Sequence, residues 1–331
     1  MSYSRNLRAI ASHFSQWRPY STTSSTRNHL QTMLLNSELT PDEASNELRW
    51  IISEVRAESQ KLLSKGKLPP IEDERVGDLV KRRSEGEPLQ YILGSTDFGS
   101  LSIMCRKPVL IPRPETAYIF TLLSSTILSS ISPLTSSSRP TSPLPILDLC
   151  TGTGCISLLL AHLNPLSTIV GVDNSPAAVG LGGANVKQLD LTERVKIRYG
   201  NIFGPVDNLL EGEKKVGLVV SNPPYIPLSQ WEQLPKSVRD FESPLALLGD
   251  GRQEGDGLTF YERIADILTH LLMEESQLRE KGWEGIPRVA VEVGLGQAKK
   301  VENIFQACEK VKRTEIWNDQ FGVERMVVGW S

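Results

Sequence analysis

Nine consecutive residues, Ile146-Leu147-Asp148-Leu149-Cys150-Thr151-Gly152-Thr153-Gly154, restrict the fold more than any other part of this chain. Residues 146–149 read as a short strand, the two glycines as a tight turn, and residues 156–163 as a helix. Glycine lets a backbone approach a ligand with no side chain in the way. The same alternation continues, with strands predicted at 169–172, 195–197, 218–220 and 289–293 and a terminal strand at 326–328. Short apolar runs separated by helical stretches predict an α/β fold with a doubly wound parallel sheet and helices on both faces. No internal repeat is visible.

Asp173 ends the second of these strands, 19 residues after Gly154 (173 − 154). An acid at that place can accept hydrogen bonds from both hydroxyls of a ribose. The glycine pattern alone is a weak signal, because it lacks the full Gly-x-Gly-x-x-Gly fingerprint, and a nicotinamide enzyme is the main competitor for this half of the site. The turn also lacks the lysine of a P-loop, which disfavours nucleoside triphosphates.

Ser221-Asn222-Pro223-Pro224-Tyr225 follows the fourth strand, at the strand end where open α/β sheets bind ligands. Each proline fixes its own φ and pushes the residue before it to an extended conformation, so the loop is stiff. Stiffness suits one kind of chemistry. A planar NH2 group is a poor nucleophile because its lone pair is delocalised. The Asn222 side-chain oxygen and a main-chain carbonyl of the Pro-Pro segment can hold both N–H bonds, which turns the lone pair towards an electrophile. Tyr225 can pack its ring on the planar amide. A loop whose Tyr225 merely fills a core gap is the structural alternative.

The remaining sequence sets the context. Net charge is −3, and no apolar run approaches the length of a membrane span. The four cysteines and four histidines form no ligand constellation, so neither a metal nor a disulfide framework is expected. Residues 38–95 read as a small helical domain: Thr40 as N-cap, Pro41 in the first turn and Glu43 closing a capping box. Ala44, Leu48, Ile51, Ile52 and Val55 share one face there, and Val76, Leu79 and Val80 lie on a second helix ending in Lys81-Arg82-Arg83. Residues 1–37 hold no Asp or Glu but contain Arg5, Arg8, Arg18 and Arg27 among many Ser and Thr. That composition predicts a mitochondrial transit peptide over about 1–20, disorder to about 37, and a location in the matrix. The Ser/Pro-rich stretch 124–145 is expected to be a flexible surface insert in a catalytic domain spanning 96–331.

Together these motifs resemble the HemK/PrmC family of release-factor glutamine methyltransferases over residues 38–331. Pro88-Leu89-Gln90-Tyr91-Ile92, Ile111-Pro112-Arg113-Pro114-Glu115-Thr116, the glycine turn, Asp173 and Asn222-Pro223-Pro224-Tyr225 match its motifs in order. Arg239-Asp240-Phe241-Glu242 and Glu324-Arg325 are similar to its later ones. The resemblance implies a class I methyltransferase sheet, S-adenosyl-L-methionine as cofactor, and the glutamine of a Gly-Gly-Gln loop in a peptide-chain release factor as substrate. It implies cofactor binding by Cys150, Thr151, Gly152, Thr153, Gly154, Asp173, Asn201, Ile202 and Asn222. Catalysis falls to Asn222, Pro223 and Tyr225, and substrate binding to these with Pro224, Arg113 and Glu115. With a transit peptide the natural partner is the mitochondrial factor, and the enzyme is expected to act as a monomer. Two departures stand out: family members usually carry an acid at Asn201, and often Asp at Gly217.

Three alternatives remain at this stage. A DNA or RNA adenine methyltransferase shares the Asn-Pro-Pro-Tyr loop, but it needs a basic groove for a flipped base, against a negative net charge. A ribosomal-protein glutamine is a second possible target. A binding protein that keeps the fold without catalysis is the third.

Overall fold

The computed structural model describes residues 24–36, 39–131, 140–210, 215–251 and 253–331. The chain divides into two compact units, Met1–Leu93 and Gly94–Ser331.

The first unit is helical, with α1 (Ser24–Asn36), α2 (Pro41–Ser64), α3 (Glu72–Ser84) and the short α4 (Leu89–Leu93). The Thr40 hydroxyl accepts the Glu43 N–H, and the Glu43 carboxylate accepts the Thr40 N–H at 2.9 Å, the reciprocal box read from the sequence. The predicted stripes of α2 and α3 are buried together in one apolar cluster, which Met33 of α1 completes. α1 is a helix where the sequence suggested disorder to about residue 37. Its Ser, Thr and Asn residues dilute the apolar stripe, and contact with α2 and α3 supplies the order instead. The proposed transit peptide, residues 1–20, lies outside the described residues. Arg83 pairs with the buried Glu47 at 2.5 Å and Arg82 with Glu87 at 2.6 Å, so most of the basic edge of α3 is neutralised within its own unit.

The second unit opens with an antiparallel hairpin, β1 (Ser95–Phe98) and β2 (Leu101–Met104), and the helix α5 (Pro114–Ile131). There follow β3 (Leu144–Leu149), α6 (Cys155–Leu163), β4 (Ser167–Asp173), α7 (Pro176–Gln188), β5 (Val195–Tyr199), α8 (Asp207–Leu210), β6 (Leu218–Ser221) and α9 (Lys236–Arg239). The unit closes with α10 (Thr259–Leu271), α11 (Glu275–Glu280), β7 (Val289–Glu292), α12 (Ala298–Gln306), β8 (Arg313–Asn318) and β9 (Glu324–Trp330). The seven strands are ordered β5-β4-β3-β6-β7-β9-β8. The first five are parallel; β9 runs antiparallel to β7, and β8 antiparallel to β9. Successive side chains of β3 face opposite ways, Ile146 into the core beneath α5 and α6 and Leu147 into the core beneath α10 and α12. Both sheet faces are therefore covered, as the sequence predicted.

The expected insert at 124–145 is corrected at both ends. Residues 124–131 complete α5, with Ser124 and Ile127 buried, and β3 begins at Leu144. Five hydroxyls along α5 satisfy themselves by donating to carbonyls four residues back: Thr121 to Ala117, Ser125 to Thr121, Thr126 to Leu122, Ser129 to Ser125 and Ser130 to Thr126. A serine-rich stretch that reads as loop is thereby compatible with helix. Residues 132–139 lie outside the described residues.

Gly217, where the family often has Asp, precedes β6. A Cβ there would lie 2.5 Å from Leu144 Cδ1 and 3.1 Å from Leu278 Cδ2, so this chain has filled the space an acid would occupy.

Candidate active site

Strand order reverses between β4 and β6 on either side of β3, and the site lies at that switch point, beyond the C-terminal ends of the strands. β3 delivers Asp148 and then the turn. Asp148 is fully buried, and its Oδ2 accepts the hydroxyls of Thr151 at 2.6 Å and Ser157 at 2.7 Å. Burial pushes its carboxyl up to about 6 against the pull of those hydroxyls. The turn itself is left-handed at Cys150 (φ 58°) and Gly152 (φ 56°). A Cβ at Gly152 would meet nothing within 4 Å, so the backbone there faces open space.

Asp173, the last residue of β4, binds the neighbouring loops together. Its Oδ2 accepts the Gly152 N–H at 2.8 Å and its Oδ1 the Ser175 N–H at 2.9 Å. Burial raises its pKa, and the backbone donors oppose that rise. Beyond these backbone donors the carboxylate keeps acceptor capacity for a further one.

A cleft opens beside this turn, at the place in an open α/β sheet where ligands bind. Cys150, Gly152, Asp173, Ile202, Asn222 and Pro224 line it, six of the residues assigned from the sequence. Its mixed lining of open glycine backbone, one carboxylate and apolar side chains suits an adenosyl cofactor.

The other assigned residues stand elsewhere. Thr151 is committed to Asp148, and Gly154 caps α6. Asn201 is exposed, and its Oδ1 accepts the Phe203 N–H at 3.0 Å, closing a local turn. Pro223, Tyr225, Arg113 and Glu115 are not part of the cleft wall. Arg113 Nη2 instead lies 2.7 Å and 2.9 Å from the two carboxylate oxygens of Glu242, which is almost wholly buried. Among the described residues, no group of three or more His, Cys, Asp or Glu is placed to hold a metal ion.

Behind the cleft the Asn222-Pro223-Pro224-Tyr225 loop is held at two points. Asn222 Nδ2 lies 3.5 Å from Thr116 Oγ1, and that hydroxyl donates to Glu292 Oε2 at 2.5 Å. Gln297 Nε2 donates to the main-chain carbonyls of Tyr225 at 2.9 Å and Asp256 at 2.8 Å, while its Oε1 accepts the Gly294 N–H at 3.0 Å. Tyr225 lies close over Gly294, where an added Cβ would fall 2.9 Å from Tyr225 Cδ2. Sequence reasoning missed Glu292 and Gln297 and gave Thr116 no role. Glu292 carried the same signal that found Asp173, an acid closing an apolar strand. Gln297 had none, because its contacts are to backbone.

Residues 32–94 match the PrmC N-terminal domain family, and residues 140–250 the Methyltransferase domain family. The release factor glutamine methyltransferase of Geobacter sulfurreducens is 34% identical over 254 residues, covering 76% of this chain and 76% of that protein. That of Moorella thermoacetica is 30% identical over 288 residues, covering 87% of this chain and 90% of the relative. The human MTRF1L release factor glutamine methyltransferase is 35% identical over 207 residues, covering 60% of this chain and 54% of the human protein. With identity at this level across both units, the chain belongs to the release factor glutamine methyltransferase family.

Proposed function

We propose that this enzyme transfers a methyl group from S-adenosylmethionine to the side-chain amide nitrogen of the glutamine in the Gly-Gly-Gln loop of a release factor, and that the factor is the mitochondrial one. The observation that carries the reading is that Asn222 lines the same cleft as Gly152 and Asp173. When bound, the cofactor supplies an electrophilic methyl group on a sulfonium. Asp173 holds the ribose through its remaining lone pairs, and the open backbone at Gly152 admits the cofactor without a clash. Asn222 accepts one N–H of the substrate amide through Oδ1, a main-chain carbonyl of the Pro223-Pro224 segment accepts the other, and Tyr225 packs against the plane. Fixing both N–H bonds orients the nitrogen lone pair and stabilises the positive charge that grows on it. No strong base is needed until the methylated nitrogen sheds its extra proton. The acid-free, Arg-rich residues 1–37 support import into the matrix, and the helical unit is the natural selector of the protein substrate.

Mass spectrometry tests this reading. The mitochondrial release factor, incubated with the protein and isotopically labelled S-adenosylmethionine, should gain one methyl group on its Gly-Gly-Gln glutamine. Label found instead on a ribosomal protein, with the factor unmodified, would reassign the substrate.

A further inference from the structure

Glu292 ends β7, is 2% exposed, and sits 2.5 Å from the hydroxyl of Thr116, itself 1% exposed. The mechanism above uses neither side chain. The same Thr116 oxygen is the neighbour of Asn222 Nδ2 at 3.5 Å. We propose that Glu292 is a positioning residue for methyl transfer: through Thr116 it fixes which end of the Asn222 amide faces the substrate.

The argument is one of hydrogen-bond polarity. A hydroxyl carries one proton, a carboxylate only accepts, and an amide has a donating and an accepting end. While Glu292 is ionised, the Thr116 proton is committed to it, and the Thr116 oxygen can only accept from Asn222. The NH2 end of Asn222 therefore turns to Thr116, and Oδ1 turns to the side where a substrate N–H must be received. Protonated Glu292 can donate to Thr116 and release the Thr116 proton towards Asn222. That favours the flipped amide, which sets two donors against each other at the substrate. A relay of buried side chains thus couples a carboxyl inside the sheet to the reacting group, and the proposal rests on the reading of Asn222 given above.

The surroundings of Glu292 place its titration where it matters. Burial pushes it up to about 7; the Thr116 bond, Arg325 and Arg113 oppose that rise, and Glu115 adds to it. Both cations are engaged elsewhere, Arg325 with Asp319 of the loop between β8 and β9 and Arg113 with Glu242. From α10, the Tyr261 hydroxyl donates to the main-chain carbonyl of Glu292 at 2.9 Å and leaves its carboxylate to Thr116.

The test compares the full-length wild type with Thr116→Val, Thr116→Ser, Glu292→Gln and Asn222→Ala in single-turnover methylation of the release factor. In the wild type the rate should rise as pH increases through about 7. Thr116→Val should slow the single-turnover rate about three- to tenfold, the worth of one ordinary hydrogen bond, with KM for the factor unchanged, and Thr116→Ser should restore it. Glu292→Gln should fold, because it keeps the size of the side chain, and should lose the pH step. Carbon-13 NMR of the cofactor-free protein supplies a readout apart from turnover: one glutamate carboxyl titrating near 7 in the wild type and missing in Glu292→Gln. A Thr116→Val enzyme at wild-type rate beside an impaired Asn222→Ala enzyme overturns the relay alone. So does a pH step that survives in Glu292→Gln, even where Thr116→Val fails to fold. An Asn222→Ala enzyme at wild-type rate removes the relay together with the role given to Asn222.

Discussion

Arg113 and Glu242, 129 residues apart in sequence, meet in an ion pair of 2.7 Å with the Glu242 carboxylate almost fully buried. The same carboxylate also accepts the Ile111 N–H at 3.3 Å. The pair clasps the segment before α5 to the segment after α9, and each of these segments contributes residues to the cleft, Leu110 and Leu245 among them. Two motifs that look independent in the sequence are thus halves of one structural contact.

Removing Arg113 leaves Glu242 as a buried charge without its partner. Such a loss costs about 3–5 kcal/mol, well above the worth of an exposed pair. Arg113→Ala should therefore lower the denaturation midpoint sharply, and Arg113→Ala/Glu242→Gln should recover part of the loss. A direct contact of Arg113 with the release factor makes a different forecast: KM rises while the midpoint stays unchanged. Denaturant unfolding together with KM for the factor separates the two.

Cys150 holds a left-handed φ of 58° with a side chain attached. That conformation costs a residue other than glycine about 1–2 kcal/mol. Glycine gives back about 0.5–1 kcal/mol through the greater freedom of its unfolded chain. The strain is the larger number, so Cys150→Gly should stabilise the protein by up to about 1 kcal/mol. Cys150→Val should do the reverse, since a β-branched residue suits this region worst. A lower urea midpoint for the glycine variant would contradict the strain.

Much of this architecture was legible beforehand because buried parallel strands are continuous apolar runs. The runs at 146–149, 169–172, 195–197, 218–220 and 326–328 all lie within strands. β8 was not legible: Arg313-Thr314-Glu315-Ile316-Trp317-Asn318 is a half-exposed edge strand whose polarity hides its pairing with β9. The serine-rich end of α5 was misread because its hydroxyls bond backward into the helix, a possibility that composition conceals. At the site, residues that face the cleft through short loops after strands were found, including Gly152, Asp173 and Asn222. Gln297, which supports the loop from behind, was not, because its bonds run to backbone as far as 72 residues away; Glu292 is an acid at a strand end like Asp173, but its tie to the site runs through Thr116, 176 residues away in the chain.

Asp173→Ala should weaken cofactor binding and also destabilise the protein. The carboxylate loses the ribose hydroxyls and, in the same stroke, the Gly152 and Ser175 N–H groups it now holds. Hydrogen bonds to a charged group are worth about 1.5–3 kcal/mol each, part of which water restores. Calorimetric titration with S-adenosylmethionine should show the weaker affinity, and a thermal scan of the cofactor-free protein the lower Tm. Unchanged affinity would take Asp173 out of the site.

Asp148 and Glu292 both have folded-state carboxyls raised by burial, to about 6 and about 7. A raised folded pKa means that the folded state binds the proton more tightly than the unfolded chain does. Their contribution to stability is therefore complete below the ordinary carboxylate range and is lost as pH rises through 6 and 7. Glu292→Gln removes one of these terms, so its stability relative to wild type should improve from about pH 5 to about 7 and level off above that. Denaturant midpoints that keep a constant gap across that range would remove the buried titration.

Asn222→Ala is the most direct test of the chemistry. If Asn222 orients the substrate amide and accepts the charge growing on it, the substitution deletes an interaction made mainly in the transition state. Loss of one preorganised partner of this kind costs about 10²–10³ in kcat. Binding of the release factor draws on a much larger surface, so KM should move little. Asn222→Asp keeps an acceptor and should retain part of the activity, although its charge alters the balance around the sulfonium and it loses the NH2 end that faces Thr116. Asn222 is only partly buried and makes one long contact, so neither variant should unfold the sheet. A purely structural role for the loop forecasts the opposite pattern, a lower Tm with kcat of the folded fraction near normal. Single-turnover transfer at saturating cofactor and factor decides the matter, and a wild-type rate in Asn222→Ala would falsify the mechanism.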